Sequence, residues 1–457
     1  MQSNFDLIVI GSGSGLDVAG ALAAQGFKVA IIEKGRLGGT CLNRGCIPSK
    51  MLIHSADVIE TIKNAHLFGI KVDKYSIDFR SIVKRVSRSV DEDSFSIERG
   101  LERSQNPKLF KGECHFASHK TVQVGKDILI ADKILISSGG RPRIPKIEGL
   151  EGSGFITSEE ALRLETQPKD LTIIGGGYIA VELAHFFGSL GTKINIVQHH
   201  KTLIPNEDEE ISESFTKIFS EKYNVLTESE PLRVSKDGKQ FHVNVRNGKN
   251  NQTQTLASDQ LLVATGTTPN SDILQVEKTG IKTDAKGYVI TDEFLETNVK
   301  GIFALGDAVG HYLFKHSANL EAQYDFNNIF SSENKVRVDY SAMPHAIFSS
   351  PQVAGVGKTE QQLRQENVNY MVGRYNYIDT GMGRAIEDRT GFVKLLVERN
   401  TQRILGCHIM GTDASTLIHE VLVSMKSGDG TTSNITRTVH IHPALSEVIQ
   451  RAASSVG

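Results

Sequence analysis

The 457-residue chain has no tryptophan and only four cysteines, Cys41, Cys46, Cys114 and Cys407. So few cysteines exclude a secreted scaffold held by disulfides and fit a reducing cytoplasm. Charge of either sign is not in excess. Lys and Arg number 51 against 53 Asp and Glu, a formal net charge of -2, which gives no electrostatic case for a nucleic-acid partner. No apolar run is long enough to span a bilayer, so no membrane association is expected. The segment Met1-Gln2-Ser3-Asn4-Phe5-Asp6 lacks a basic stretch, so no signal peptide is expected. No low-complexity segment or extra domain is visible. Glycine, by contrast, is plentiful at 42 residues, which suits backbone that must approach cofactors closely. The length exceeds one hydrophobic core and predicts two to four domains.

Two of the four cysteines lie close together in Gly38-Gly39-Thr40-Cys41-Leu42-Asn43-Arg44-Gly45-Cys46-Ile47-Pro48-Ser49-Lys50. A bridge between Cys41 and Cys46 would close a very short loop and remove little chain entropy, so its value would lie in redox chemistry rather than stability. The Gly-Gly-Thr reads as a turn opening a helix, whose N-terminus stabilises a thiolate. Arg44 adds positive charge between the sulfurs, and Lys50 follows Cys46 at i+4 on one helical face. On the bare pair, redox chemistry and two unrelated buried cysteines both stay open.

Residues 5–10 are an apolar run rich in Ile and Val, read as a buried parallel strand. Gly11-Ser12-Gly13-Ser14-Gly15-Leu16 and a helix to about Gly26 follow, then a strand over 29–32 ending at Glu33-Lys34. This order is a dinucleotide turn. Gly11, Gly13 and Gly15 let a pyrophosphate approach the helix N-terminus, and Glu33 is placed to hold a ribose hydroxyl. Leu16 stands where a third glycine allows close helix–strand packing, which predicts a slightly different seat for the helix. A second such unit starts with the strand over 171–174. Gly175-Gly176-Gly177-Tyr178-Ile179-Ala180-Val181-Glu182 follows, and the strand over 193–197 ends in Gln198-His199-His200-Lys201. Two turns that both keep their glycines imply two dinucleotides rather than one ligand on a duplicated fold. Residues 51–105 read mainly as helices interrupted near Gly69, and 111–124 as strand-like alternation. From about Asp339 strands over 391–397 and 404–410 frame a helix over about 414–426.

The whole run from Gly38 to Lys50 resembles the redox-active signature of the pyridine nucleotide–disulfide oxidoreductases, the family of dihydrolipoamide dehydrogenase, glutathione reductase and mycothione reductase. Further stretches resemble the same family in the same order. Gly112-Glu113-Cys114-His115-Phe116 matches a contact to the adenine end of the flavin, with Cys114 in an Ala slot and taken as packing. Ile136-Ser137-Ser138-Gly139-Gly140 and Ala264-Thr265-Gly266-Thr267 match the motifs that close each nucleotide fold; Thr267 stands where the family usually has Arg. Gly301-Ile302-Phe303-Ala304-Leu305-Gly306-Asp307 matches a flavin motif whose Asp accepts from the ribityl chain. Phe314-Lys315-His316-Ser317-Ala318-Asn319 is similar to mycothione reductases. Glu387-Asp388, the strand at 406–411, in which Cys407 is core, and His440-Ile441-His442-Pro443-Ala444-Leu445-Ser446-Glu447 resemble the C-terminal interface domain.

The resemblance implies an α/β protein. Two Rossmann-like nucleotide-binding domains for FAD and NAD(P) and a C-terminal α+β dimerisation domain are expected, as 1–145, 146–270, 271–338 (flavin again) and 339–457. It implies that Cys41 exchanges with a substrate disulfide and Cys46 faces the flavin. Lys50 pairs with Glu182 beside the flavin. His442, oriented by Glu447, is the general acid–base across the interface of a homodimer. His440 is the unpartnered member of its pair, and no metal is expected. Gly39, Thr40, Lys34, Ser138, Gly139 and Asp307 would contact FAD; Tyr178, Ile179, Glu182, Gln198, His199 and Gly266 would contact the nicotinamide side. The absence of a carboxylate at Gln198 tilts the preference to NADPH over NADH, against which Ile204 stands where an Arg might be expected. A mycothione-type disulfide ranks ahead of lipoamide. The lipoamide alternative would be NAD-linked and would bring a 2-oxoacid dehydrogenase complex as partner. A redox-dead FAD/NAD(P)H-binding sensor and an oxidase are the other readings; the intact cysteine pair and the His442/Glu447 pair stand against the first, and the second cysteine against the oxidase, whose relatives generally keep a single catalytic one.

Overall fold

The computed structural model describes residues 2–331 and 333–456. The chain divides into two compact units. One is formed by Met1–Ser49, Val83–Arg143 and Gly266–Asp339, the other by Lys50–Ile82, Ile144–Thr265 and Tyr340–Gly457.

In the first unit the strand Gln2–Ile10 lies between Val29–Glu33 and Asp127–Ile136, parallel to both. Lys108–Lys111 extends the parallel sheet beyond Val29–Glu33, and Ile302–Ala304 pairs parallel to Asp127–Ile136. Thr121–Val124 and Cys114–Ser118 complete it antiparallel. Successive side chains of a strand point to opposite faces. Leu7 and Val9 accordingly pack with Val18, Leu22 and Phe303, while Ile8 and Ile10 pack with Phe116, Ile134 and Ile136. Burial on both faces is why the strand reads as an unbroken apolar run. The helix Gly15–Ala24 crosses from the first strand to the second. The close approach left open by Leu16 is made one residue earlier: a Cβ on Gly15 would fall 2.2 Å from Ser137 Oγ and 2.8 Å from Val9. The alternating stretch read at 111–124 is three short strands, broken at Gly112, whose φ is +152°.

The second unit holds a parallel sheet ordered Asn224–Leu226, Lys193–Val197, Asp170–Ile174, Gln260–Val263. The helix Tyr178–Ser189 follows Asp170–Ile174. Ser229–Asp237, Gln240–Asn247 and Thr253–Ser258 form a separate antiparallel sheet. Its C-terminal part is a five-stranded antiparallel sheet in the order Pro344–Ile347, Val353–Gly357, Ile404–Met410, Phe392–Glu398, Tyr370–Asn376. Ala414–Lys426 and Glu447–Ser454 lay Ile418, Val421, Val448 and Ile449 on Val356, Leu395 and Ile409 of that sheet. The helical stretch expected at 51–105 is two helices, Cys46–Asn64 and Phe79–Arg103, separated after a short turn at Gly69 by residues without helix or strand. Among the described residues no helix is long and apolar enough to cross a membrane, and no group of three or more His, Cys, Asp or Glu is arranged to hold a metal ion.

Candidate active site

The redox stretch is not one helix but two. Gly38, at φ +97°, caps the helix Gly39–Arg44, and the second helix, Cys46–Asn64, begins at Cys46 itself. Gly45 makes the break. A Cβ there would lie 2.9 Å from Thr40 O and 3.3 Å from the Cα of Cys41, so the chain between the cysteines folds back on the first of them more closely than any side chain allows. Cys46 thus occupies the first turn of a 19-residue helix, whose positive dipole end favours a thiolate. Lys50 follows one turn along. Cys41 and Cys46 are both partly exposed, whereas Cys114 and Cys407 are buried. Asn43 shapes the approach: its amide donates to Leu37 O at 2.8 Å and Gly39 O at 3.0 Å. Sequence reasoning missed Asn43, whose only signal is its place inside the motif.

The first glycine turn abuts this stretch. A Cβ on Gly11 would meet Ser137 O at 2.3 Å, and one on Gly39 would meet Gly13 Cα at 2.7 Å, while one on Gly13 would meet nothing within 4 Å. Ser12, also missed, joins the parts. Its N–H and Oγ–H donate to Glu33 Oε2 at 3.0 and 2.7 Å, and its Oγ accepts from Gly38 N at 3.1 Å. The other Glu33 oxygen accepts from Gly35 N at 2.7 Å. Lys315 brings a cation to the turn, donating to Ser14 Oγ at 2.8 Å from 301 residues away. Ser138 Oγ is buried without a hydrogen-bond partner, and burial pushes the Asp307 carboxyl up to about 6. Gly139, at φ +64°, holds its turn through Asn270, whose N–H bonds Gly139 O at 3.2 Å and whose amide bonds Ser138 O at 2.8 Å. An open glycine cradle, a helix N-terminus, an unsatisfied hydroxyl and a desolvated acceptor fit a bound dinucleotide. Lys34 is exposed and reaches Glu113 at 3.4 Å. Cys114 is buried in its strand and its thiol is pushed up to about 12 by burial, with Glu33 and Glu113 adding to it, as packing requires. Gly266, at φ +104°, pairs its carbonyl with Arg143 N at 2.9 Å.

The second turn repeats the geometry in the other unit. A Cβ on Gly175 would lie 2.2 Å from Ala264 O, and one on Gly177 would meet nothing within 4 Å. Gly177 caps Tyr178–Ser189 without a side-chain bond, which leaves backbone donors for a phosphate. Gln198 is buried, packs on Gly176 and donates Nε2–H to Thr202 O at 3.1 Å. His199 and His200 are exposed, their rings 3.7 Å apart. Ile204 is fully buried at φ +44°, a conformation that costs a β-branched residue on the order of 1–3 kcal/mol.

On that helix Glu182 accepts from Lys50 Nζ at 2.8 and 3.0 Å and from Phe348 N at 2.9 Å. The ammonium also lies 4.8 Å from the Phe348 ring centroid. The Glu182 side chain is 9% exposed and that of Lys50 35%. Removing the cation strands a nearly buried carboxylate. Lys50→Met is therefore expected to destabilise the protein by about 1–3 kcal/mol. The Lys50→Met/Glu182→Gln double variant should recover part of that loss, as read by chemical denaturation of the three proteins.

Near the C-terminus His442 Nδ1 lies 3.0 Å from Glu447 Oε1 and 3.2 Å from Oε2. A carboxylate can only accept, so Nδ1 carries the proton of the pair and Nε2 is left to act as base or acid. The His442 side chain is 76% exposed and that of Glu447 9%. Glu447 opens the helix Glu447–Ser454 and also accepts from Ala444 N at 3.2 Å. The His442 hydrogen bond, with that from Ala444, holds its carboxyl below the usual range. His440 is not the unpartnered member expected: its Nε2 meets Glu420 Oε1 at 2.6 Å and its Nδ1 meets Thr438 O at 2.9 Å. Both of its nitrogens are thus engaged within the C-terminal part of the chain.

Paired cysteines, two glycine turns and a carboxylate-held histidine define a disulfide oxidoreductase that works with two dinucleotides, and comparison with known proteins agrees. The family model for pyridine nucleotide-disulphide oxidoreductases matches residues 5–324, and that for the family's dimerisation domain matches residues 343–453. The chain belongs to this family, whose members are enzymes acting on sulfur groups with FAD and NAD(P)H. It is 34% identical to mycothione reductase of Mycobacterium tuberculosis over 99% of both chains. It is likewise 34% identical to mitochondrial dihydrolipoyl dehydrogenase 2 of Arabidopsis thaliana, over 98% of this chain and 89% of that one. Among solved structures it is similar to the Cu(II) complex of the HOCl-induced flavoprotein disulfide reductase RclA from Escherichia coli, with a TM-score of 0.88 at 26% identity over 99% of each chain.

Proposed function

We propose that the protein is an NAD(P)H-dependent reductase of a low-molecular-weight thiol disulfide, with a mycothione-type disulfide preferred to lipoamide. The observation that carries the reductase reading is the His442–Glu447 pair, an exposed imidazole fixed through Nδ1 and open at Nε2. The bound flavin and nicotinamide supply the hydride path that delivers two electrons to the Cys41–Cys46 disulfide. Of the pair so reduced, Cys41 attacks the substrate disulfide as thiolate. One substrate sulfur bonds to Cys41, the other leaves, and His442 gives it the proton. Cys46 then displaces the second thiol from Cys41 and restores the disulfide. The two glycine turns hold the dinucleotides, Asp307 accepts from the flavin side chain, and by family resemblance Lys50 with Glu182 balances charge at the flavin. The enzyme works as a cytoplasmic homodimer in which His442 of one chain serves the cysteines of the other; the dimerisation domain at 343–453 supports that arrangement.

Lys315-His316, the Pro443-Ala444-Leu445 ending and Arg44 between the cysteines support the substrate order, since a charged residue there suits a polar thiol better than a hydrocarbon arm. Exposed His199 and Lys201, with no carboxylate at Gln198, support NADPH. Lipoamide is the second reading, on the strength of His440-x-His442-Pro443. A panel of small thiol disulfides and lipoamide, each run with NADPH and NADH, tests both points. The expected result is a higher kcat/KM for a small polar disulfide with NADPH. A lipoamide value of roughly 10⁴ M⁻¹s⁻¹ or above, with the others negligible, reverses the order.

A further inference from the structure

Tyr178, the residue that follows the second glycine turn, is held by more than its helix. Its hydroxyl donates to Glu207 Oε1, and Glu207 Oε2 accepts from His345 Nε2 at 2.8 Å. The His345 ring lies along that of Tyr178, centroids 6.3 Å apart and planes 15° from parallel. Glu207 is fully buried and His345 is 18% exposed. Burial alone would push the Glu207 carboxyl up, but His345 beside it and the bonds from His345 and Tyr178 outweigh this and hold it below the usual range. Burial and Glu207 push the Tyr178 phenol far up, so it stays the donor.

The surroundings fix this triangle at every corner. Ile204 N donates to Gly176 O at 2.7 Å and Glu207 N to Ile204 O at 3.1 Å, so the strained turn binds Glu207 to the glycine turn itself. Asp208 caps the helix Glu209–Lys222 and accepts from buried Lys394 at 2.8 Å. Gly355 makes room for His345, since a Cβ there would come within 2.7 Å of its ring and 3.1 Å of His408 Nδ1. His408 sends Nε2–H to Lys358 O at 3.0 Å, and burial holds it below its usual value, so it meets His345 as a neutral ring.

We propose that Glu207 and His345 are positioning residues for the pyridine nucleotide: they lock the Tyr178 ring beside Gly177 so that this wall of the nucleotide site is set before the nucleotide arrives. The proposal rests on reading Gly175–Gly177 as the nicotinamide turn. An unclamped ring would have to be ordered at each binding event, and ordering one side chain weakens binding by about 3- to 10-fold.

The test is steady-state kinetics and anaerobic flavin reduction of the flavin-loaded enzyme with NADH and NADPH, for Glu207→Gln, His345→Ala, Tyr178→Phe and Glu207→Gln/Tyr178→Phe. KM for the nucleotide should rise about 3- to 10-fold while kcat, flavin content and KM for the disulfide stay within about twofold, and the double variant should be no worse than either single one. A merely structural role would lower flavin content and kcat and leave the nucleotide KM unmoved. If Glu207→Gln does not fold, Tyr178→Phe and Gly355→Ala, which deletes no polar group and shifts His345, decide the matter. An unchanged or lower nucleotide KM, or additive effects, overturns the clamp. If neither nucleotide reduces the flavin of the unsubstituted enzyme, the reading of the turn fails and takes the clamp with it; if reduction is normal and the variants do not differ, the clamp alone fails.

Discussion

Cys41→Ser is expected to give a folded, coloured flavoprotein whose disulfide reductase turnover falls by on the order of 10⁴-fold or more. The fold should survive because Cys41 is partly exposed and lies in the first turn of a six-residue helix, where Ser is well accommodated. Turnover should not survive, because the sulfur proposed to exchange with substrate is gone and a hydroxyl, far less acidic than a thiol, cannot replace it in thiol–disulfide exchange. Cys46 keeps its place at the N-terminus of Cys46–Asn64 and should persist as a thiolate, visible as long-wavelength absorption beside oxidised flavin. Cys46→Ser should lack that absorption. Disulfide turnover retained in Cys41→Ser would reassign the two sulfurs, and reduction by nicotinamide that bleaches the flavin of the unsubstituted protein without the long-wavelength band would favour a redox-dead binder.

His442→Ala is expected to lower kcat for disulfide reduction by roughly 10²–10⁴-fold, the range of a positioned general acid. Its exposed ring contributes little to packing, so the unfolding midpoint should hardly move. Glu447 keeps the Ala444 N–H as a donor. Glu447→Gln should cost less activity, since the imidazole remains but loses its orienting charge. The sign of the pH effect follows from the same bond. The Glu447 carboxyl is held down, so the pair contributes stability above the ordinary carboxylate range and loses it as pH falls through the lowered folded value; near neutrality it is intact. The dimer enters through complementation. Heterodimers of Cys41→Ser and His442→Ala chains carry one site with neither lesion if His442 serves the other chain. Isolated heterodimers are expected to show about half the specific activity of a normal dimer, and the mixture after random exchange of equal amounts about a quarter; no recovery would place His442 on its own chain's cysteines.

What could be read in the sequence was local. Lys193–Val197, Ile404–Met410 and Ala414–Lys426 stand where their hydrophobic periods put them, and both glycine turns open the helices they predict. What could not be read was decided by residues far apart. The break at Gly45 depends on how the chain folds back on Thr40 and Cys41, and no propensity shows that. Lys50 meets Glu182 across 132 residues, a pair known beforehand only by family resemblance. Lys315 reaches Ser14 across 301, and His345 reaches Glu207 across 138. The partner of His440 is Glu420 on the helix Ala414–Lys426, and a histidine beside another near a proline says nothing of a carboxylate one helix back. The hairpin of Ser229–Asp237 and Gln240–Asn247, by contrast, carries a local signal, Asp237-Gly238 between alternating stretches.

The two buried cysteines give the molecule a clean electron count. Cys114 and Cys407 have thiols raised by burial and are shut off from reagents and oxidants. Sulfur chemistry at the protein surface is therefore confined to Cys41 and Cys46. If Cys41 and Cys46 cycle as proposed, an alkylating reagent applied to the native protein should read the charge state of the enzyme as a battery, two labels per chain when loaded and none when spent, without background from the rest of the fold. The same confinement spares the enzyme the scrambled cross-links that extra reactive thiols would invite among the disulfides it handles.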